Sequence, residues 1–259
     1  MNARQEAYSY SRLNTFDNCR YRYKFQYIDK IPQGPTTIEA FMGSRVHDAL
    51  EEWYDRRRDG ESVGLEDLTE AYRHSWESKW RDDVRIVKRN MTAEHYRITG
   101  ERGLEKYFQT TGRDDPTETL AMELRVHIPL SDDGGPALRG YIDRLARAED
   151  GALEIHDYKT TSRLPSDEDV DADPQLALYQ MGVQREFPKA PAIRLIRHFV
   201  SFGHTHRTQV DAGRLEQLRE STKERIHVIQ ACTEYPANVT VLCRWCSYQD
   251  RCEFYQNHA

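Results

Sequence analysis

Residues 139–160 read R-G-Y-I-D-R-L-A-R-A-E-D-G-A-L-E-I-H-D-Y-K-T, a pattern of two strands joined by a tight turn. The arms are residues 138–148 and 152–160, and Glu149-Asp150-Gly151 is the turn, with Gly151 free to take a positive φ. Side chains two apart on a strand point the same way, so Asp157 and Lys159 share a face. A three-residue loop pairs Ala148 with Ala152 and sets Asp143 opposite Asp157. A two-residue Asp-Gly turn would pair Asp143 with Tyr158 and part the two aspartates. The three-residue register therefore predicts two carboxylates and an ammonium in one small area, as a divalent-metal site with a cationic helper requires. An ordinary surface hairpin with solvated charges is the competing reading of this stretch alone.

The chain has 259 residues, 38% hydrophobic and 31% charged, which fits a soluble globular enzyme of one large domain or a core with an insertion. No run approaches the ~20 apolar residues that span a bilayer. The N-terminus M-N-A-R-Q-E-A-Y-S-Y-S has no apolar core of a signal peptide, so a cytoplasmic protein with no membrane partner is expected. A net charge of −6 argues against indiscriminate nucleic-acid binding, so any contact with a polyanion needs a local basic groove. The five cysteines are Cys19, Cys232, Cys243, Cys246 and Cys252, and the last three have C-x2-C-x5-C spacing. In a cytosolic chain that spacing points to metal or cluster ligation before disulfides.

The first segment, capped at Ser9 or Ser11, is expected to continue as a helix. It interleaves Arg12, Arg20, Arg22, Lys24 and Lys30 with Tyr21, Tyr23, Phe25 and Tyr27, which suits either a nucleic-acid strand or an aromatic core with solvated cations. Next comes an amphipathic helix with Val46, Leu50, Trp53 and Tyr54 as its buried stripe and His47 at the stripe's edge. Residues 61–117 read as a helical insertion. Its basic stretch, Arg81, Arg85, Lys88 and Arg89, fits a substrate channel or a solvated face. Residues 119–128 alternate as a half-buried strand with Leu120, Met122, Leu124, Val126 and Ile128 inward. Asp173-Pro174 starts a helix that carries Gln175 and Tyr179 on one face. A strand over 193–202 and an amphipathic helix over 211–231 follow, and Tyr235-Pro236 precedes the cysteine tail. This order predicts an α/β fold with a mixed sheet and helices on both faces. No G-x-x-x-x-G-K-[ST] occurs, so the chain carries no nucleotide-driven motor of its own.

These pieces, in this order, resemble the PD-(D/E)xK nuclease superfamily and specifically its RecB-like exonuclease branch. The matching residues are G-S-R-V-H with His47, G-Y-I-D-R with Asp143, H-D-Y-K-T with Asp157 and Lys159, and Q-L-A-L-Y with Gln175 and Tyr179. The opening S-Y-S-R-L-N-T-F-D-N-C also looks like that branch, and residues 61–117 match least. One early cysteine with C-x2-C-x5-C at the end is similar to iron–sulfur members, including AddB-type recombination nucleases and the small CRISPR-associated nuclease.

The resemblance implies a restriction-endonuclease-like core at 118–231 with a central mixed sheet. N-terminal helices at 1–60, the helical insertion at 61–117 and a C-terminal iron–sulfur segment at 232–259 would complete the chain. It implies Asp143, Asp157 and Lys159 as catalytic residues. His47, Asp143, Asp157 and the Tyr158 carbonyl would hold Mg²⁺ or Mn²⁺, with Glu123 in a supporting role, and Gln175 and Tyr179 would hold the substrate or the lysine. Asp157 stands where many relatives have Glu. Cys19, Cys243, Cys246 and Cys252 would hold a [4Fe–4S] cluster as a structural staple. Four thiolates also suit tetrahedral zinc, and Cys232 is left over. The expected activity is hydrolysis of DNA by an exonuclease that prefers single strands, acting in repair, recombination or phage DNA processing. As an alternative the chain would serve a helicase or spacer-acquisition integrase complex; a non-catalytic DNA-binding scaffold is the remaining reading.

Overall fold

The hairpin forms with the three-residue loop. Ala148 N–H donates to the Ala152 carbonyl (2.9 Å), and Gly151 closes the turn with φ 84° and its N–H on the Ala148 carbonyl (2.9 Å). The computed structural model describes residues 7–131 and 134–256. In chain order these form α1 (Tyr10–Asn18), α2 (Arg20–Tyr23), α3 (Ile38–Arg58), α4 (Leu65–Lys79) and α5 (Ala93–Tyr107), followed by β1 (Glu118–Pro129), β2 (Ala137–Arg147) and β3 (Leu153–Lys159). Then come α6 (Asp167–Ala172), α7 (Gln175–Glu186), β4 (Ile193–Phe199), β5 (His204–Thr208), α8 (Ala212–Ala231) and α9 (Glu253–Gln256).

The sheet order is β1-β2-β3-β4-β5, with β3–β4 parallel and the other pairs antiparallel. One apolar core lies between the sheet and helices α1, α7 and α8, and includes Leu145, Ile155, Leu178, Leu195 and Ile226. A second core gathers α3, α4 and α5 with Tyr158 of β3 and Val200. The mixed α/β sheet flanked by helices is thus present, in the arrangement of a restriction-endonuclease-like fold. The expected stripe of α3 is buried throughout, with Val46, Leu50, Trp53 and Tyr54 at most 1% exposed.

Four expectations need correction. The first helix does not run on through the aromatic segment. It stops at Cys19, whose extended backbone (φ −162°, ψ 108°) breaks the chain and whose sulfur caps α2. The strand read over 193–202 ends at Phe199, because Gly203 takes φ 62° and turns the chain into β5. Helix α6 was also missed, as the acidic run Asp167–Ala172 carries almost no apolar signal beyond Val170. Finally, β1 does not alternate simply. Leu120 and Leu124 face the sheet–α7 core, whereas Met122 packs on the α3–α5 core. The register shifts between Thr119 and Ala121, and Glu123 has φ 45°, so the pleat changes phase there.

Beneath the sheet, Arg144 is fully buried and its guanidinium stacks over the Tyr54 ring (3.8 Å to the centroid). It donates to Asp115 Oδ2 (2.7 Å), to Thr119 Oγ1 (2.9 Å) and to Thr117 Oγ1. Tyr54 bridges Asp115 (2.9 Å) and Tyr107 (2.6 Å), and Tyr107 reaches the Tyr158 hydroxyl (3.5 Å). Burial opposes the charge on Asp115, yet Arg144 and the Thr117 donors hold its carboxyl well below the usual carboxylate range. Removing one partner of such a pair strands the other charge in a dry site. Arg144→Met is therefore expected to cost about 3–5 kcal/mol in urea unfolding. A loss near zero would show that the network does not hold the sheet to α3.

Candidate active site

The sites converge at the C-terminal end of β3. On β2, Ile142 and Leu145 are three residues apart yet enter the same core, so the pleat also changes phase around Asp143. The β1–β2 ladder carries no pair between Leu124–Ile142 and Met122–Arg144, the gap where Glu123 and Asp143 lie opposite one another. The β2–β3 register runs from Arg147 with Leu153 to Arg144 with His156 and stops there, one residue short of the expected pairing of Asp143 with Asp157. In place of a ladder bond, Asp143 Oδ2 accepts from the backbone N–H of Tyr158 (2.8 Å).

Helix α3 delivers His47 from the opposite side. Its Nε2 meets the Tyr158 carbonyl at 2.8 Å and its Nδ1 lies 3.6 Å from Asp143 Oδ2. Gly43, one turn earlier on α3, lets the chain after β3 close in, since a Cβ there would meet Thr160 Oγ1 at 3.0 Å. Donor atoms of His47, Glu123 and Asp143 all lie within 4.8 Å of one another. One nitrogen and two carboxylate oxygens at that spacing fit Mn²⁺ or Mg²⁺.

Asp157 sits beside this group but outside it. Its Oδ1 accepts from Lys159 Nζ (2.8 Å), and its Oδ2 faces Arg197 Nε at 3.4 Å across the β3–β4 register. Lys159 donates a second time to Gln175 Oε1 (3.2 Å), and Gln175 Nε2 reaches the Tyr179 hydroxyl (3.4 Å). Asp173 fixes the start of α7 by accepting from Gln175 N (2.9 Å), and its other oxygen lies 3.6 Å from Arg197 Nη1. Gly140 is required here, because a Cβ would come within 2.3 Å of the Tyr179 ring. Every sequence-predicted residue of the site is therefore in one neighbourhood. Glu123, given only a supporting role, joins His47 and Asp143 directly. Arg197 was not singled out, because a charged residue inside an apolar strand reads as a solvated edge until the β3–β4 pairing is known.

Burial, reinforced by Asp143, pushes the Glu123 carboxyl up to about 7. Burial also lifts Asp143 to about 6; His47 opposes the rise and Asp157 adds to it. Both acids thus resist ionising together without a cation.

The four cysteines of the proposed cluster form a second site. Cys19, Cys243, Cys246 and Cys252 line one cavity of about 200 Å³, while Cys232 lies apart with its thiol on the Glu234 carbonyl (3.0 Å). Backbone N–H groups of Arg22 and Thr240 donate to Cys19 and Cys243 sulfur (3.4 Å each). The C-terminal segment is tied to early residues by Gly34 N to Ser247 O (2.9 Å), Tyr248 OH to Ile31 O (3.1 Å) and Asn238 Nδ2 to Asn18 O (3.0 Å). Arg85 is part of this clamp, donating to Cys246 O (2.9 Å) and Gln249 Oε1 (2.6 Å), so it does not line a channel as a free cation. Tyr23 and Phe25 are likewise buried, and Arg12 lies over the Tyr8 and Tyr27 rings (4.4 and 4.8 Å). Much of the aromatic–basic N-terminal segment is internal packing.

A family model of the PD-(D/E)XK nuclease superfamily matches residues 7–253. The chain belongs to the PD-(D/E)XK nuclease superfamily. No curated protein gave a significant match. Membership makes this chain a nuclease, a hydrolase whose superfamily ordinarily works with Mg²⁺ or Mn²⁺, and the His47–Glu123–Asp143 donors supply a site for such an ion. Among the described residues no helix is long and apolar enough to cross a membrane.

A group whose folded pKa is raised loses stability as pH climbs from its unfolded value through its folded one. For Glu123 and Asp143 that window runs from the ordinary carboxylate range to about 7 and about 6. Glu123→Gln should therefore raise the Tm of metal-free nuclease at pH 8, by about 2–4 °C for each kcal/mol of repulsion relieved, and leave it little changed at pH 4. Mn²⁺ should stabilise the unaltered protein far more than this variant. An equal Mn²⁺ response in both would remove Glu123 from the metal site.

Proposed function

We propose that this chain is a metal-dependent exodeoxyribonuclease that prefers single-stranded DNA, acting in repair, recombination or phage DNA processing. The observation that carries the reading is the placement of the Lys159 ammonium, held by Asp157 and Gln175, next to the His47–Glu123–Asp143 donors. A divalent ion bound there would supply Lewis-acid charge, which activates water and neutralises the scissile phosphate. The chain's own groups do the positioning. His47, Glu123 and Asp143 would hold the ion, and Asp157 and the Tyr158 carbonyl lie adjacent. Lys159 has three N–H donors, of which Asp157 and Gln175 engage two, leaving one for the attacking water or a phosphate oxygen. Arg197 supports Asp157 from behind, and Gln175 and Tyr179 keep the lysine aligned beside the strand.

We further read the cysteine cavity as the seat of a [4Fe–4S] cluster rather than zinc. What favours the cluster is the similarity of the cysteine spacing to that of iron–sulfur nucleases, together with the gathering of these four thiols around one cavity. The backbone N–H donors on Cys19 and Cys243 suit thiolates bound to a cluster. Its role is a staple between the first helices and the last segment, closing the longest loop in the chain. A second reading, a nuclease subunit of a helicase or integrase complex, is favoured by the apolar side chains exposed on this segment. Val241 is 78% exposed, Leu242 67% and Phe254 39%.

Labelled single- and double-stranded DNA, incubated with Mg²⁺, Mn²⁺ or EDTA, tests the activity. Single strands should be shortened from an end only with metal, and Lys159→Ala should slow this about 10²–10⁴-fold. Undiminished cleavage by Lys159→Ala would overturn the assignment. For the cluster, protein purified without oxygen should be brown and contain iron and sulfide. Cys243→Ala should lose both and unfold at lower temperature. A colourless protein holding one zinc would replace the cluster by zinc.

A further inference from the structure

The N-terminal segment and β2 form a groove that the catalytic residues do not account for. It encloses about 720 Å³, begins at Gln175 and Tyr179 beside Lys159, and passes Gly140 to end at Asn18 and Arg22. The N-terminal chain forms its far wall, because Tyr8 takes over the edge of β2 that β3 leaves. Tyr8 N donates to Ala137 O (3.0 Å) and Arg139 N to Tyr8 O (2.8 Å). The groove is therefore built by backbone pairing rather than by loose loops.

Its lining has a distinct chemistry. Tyr141 is 55% exposed although it lies on a strand of the central sheet. Arg139 is exposed and Arg22 half-buried, and neither forms an ion pair among the described residues. The Nε of Arg22 is buried with no hydrogen-bond partner. Between these cations lie the hydroxyl of Ser9 and the amides of Asn14 and Asn18.

We propose that this groove binds one unpaired nucleic-acid strand on one side of the scissile bond, with Arg139 and Arg22 on phosphates and Tyr141 stacked on a base. The inference rests on the single-strand reading above and extends it to named residues. Continuity with the active site supplies the first argument: a strand whose phosphate lies at Lys159 has Gln175 and Tyr179 beside it, and the groove opens there. Composition supplies the second. Duplex DNA carries one charge per about 1.7 Å of axis and is matched by many cations, whereas this groove offers two. A stacked aromatic with polar amides and hydroxyls suits a base whose face and edges are free, which a paired base does not offer. Ser9, Asn14 and Asn18 then meet sugars and base edges without demanding one sequence.

The test uses the full chain with Lys159→Ala, in EDTA, so that strands survive. Binding of a fluorescein-labelled 30-nucleotide single strand and of its duplex is followed by anisotropy across a salt series. Tyr141→Ala should weaken single-strand binding about tenfold and Tyr141→Phe should restore it. Arg139→Ala should weaken it and reduce the slope of log K against log salt by about 0.7. Both side chains are exposed, so the variants should unfold at the parent temperature. Duplex binding should be weaker and indifferent to all three changes. Single-strand binding that ignores both Arg139 and Tyr141, or an equal loss on duplex, would overturn the groove. Cleavage by the otherwise unaltered protein separates this from the reading on which it rests. If single strands are not cut while Tyr141 and Arg139 still govern their binding, the activity assignment fails and the groove stands. If they are cut while binding ignores both residues, the groove fails alone.

Discussion

The bond from the Tyr158 amide to the Asp143 carboxylate joins the two halves of the site. It spans the place where β2 changes pleat, so a side chain replaces the ladder bond that the irregularity removes. The same peptide offers its carbonyl to His47 Nε2, which ties α3 to β3. One peptide unit thus locates three elements: β2 through Asp143, β3 through itself and α3 through His47. The Tyr158 side chain extends this in the other direction, into the buried hydroxyl network of Tyr107 and Tyr54 that ends on Asp115 and Arg144.

Around that peptide the charges fall into two sets. His47, Glu123 and Asp143 form a pocket with two carboxyls, and burial raises both of them. Asp157, by contrast, is flanked by Lys159 and Arg197, and Lys159 in turn bonds to Gln175, which reaches Tyr179. The first set is electrostatically incomplete and the second nearly balanced. A divalent ion would complete the first, and in the proposed function the polar bonds of the second would hold the ammonium toward a phosphate. Glu123 also carries backbone strain, with φ 45° at a non-glycine residue in a strand. Such strain persists where the surroundings fix it, and here it turns a carboxylate toward Asp143.

The hairpin and the site were legible for different reasons. The loop Glu149-Asp150-Gly151 fixed the register because only Gly151 takes the positive φ the turn needs, and that register carried Asp143 toward Asp157. The α3 and α8 stripes were legible because each buries one continuous face. Met122 was misplaced because a bulge has no signature in an alternating pattern. Glu123 owed its position to the same bulge, so its part in the donor group was read too low. Arg197 was invisible because its partner, Asp157, is forty residues away and reaches it only through parallel pairing. The break at Cys19 was hidden inside a helical pattern, and it sets that thiol beside those of the C-terminal segment.

Cleavage as proposed requires that His47, Glu123 and Asp143 together hold the divalent ion. A crystal of the metal-loaded protein, measured at the manganese absorption edge, tests it most directly. One anomalous peak is expected among His47, Glu123 and Asp143, on the Tyr158 side of Lys159, and it should disappear in Glu123→Gln. A manganese peak held by other residues, or one that persists unchanged in that variant, would contradict it.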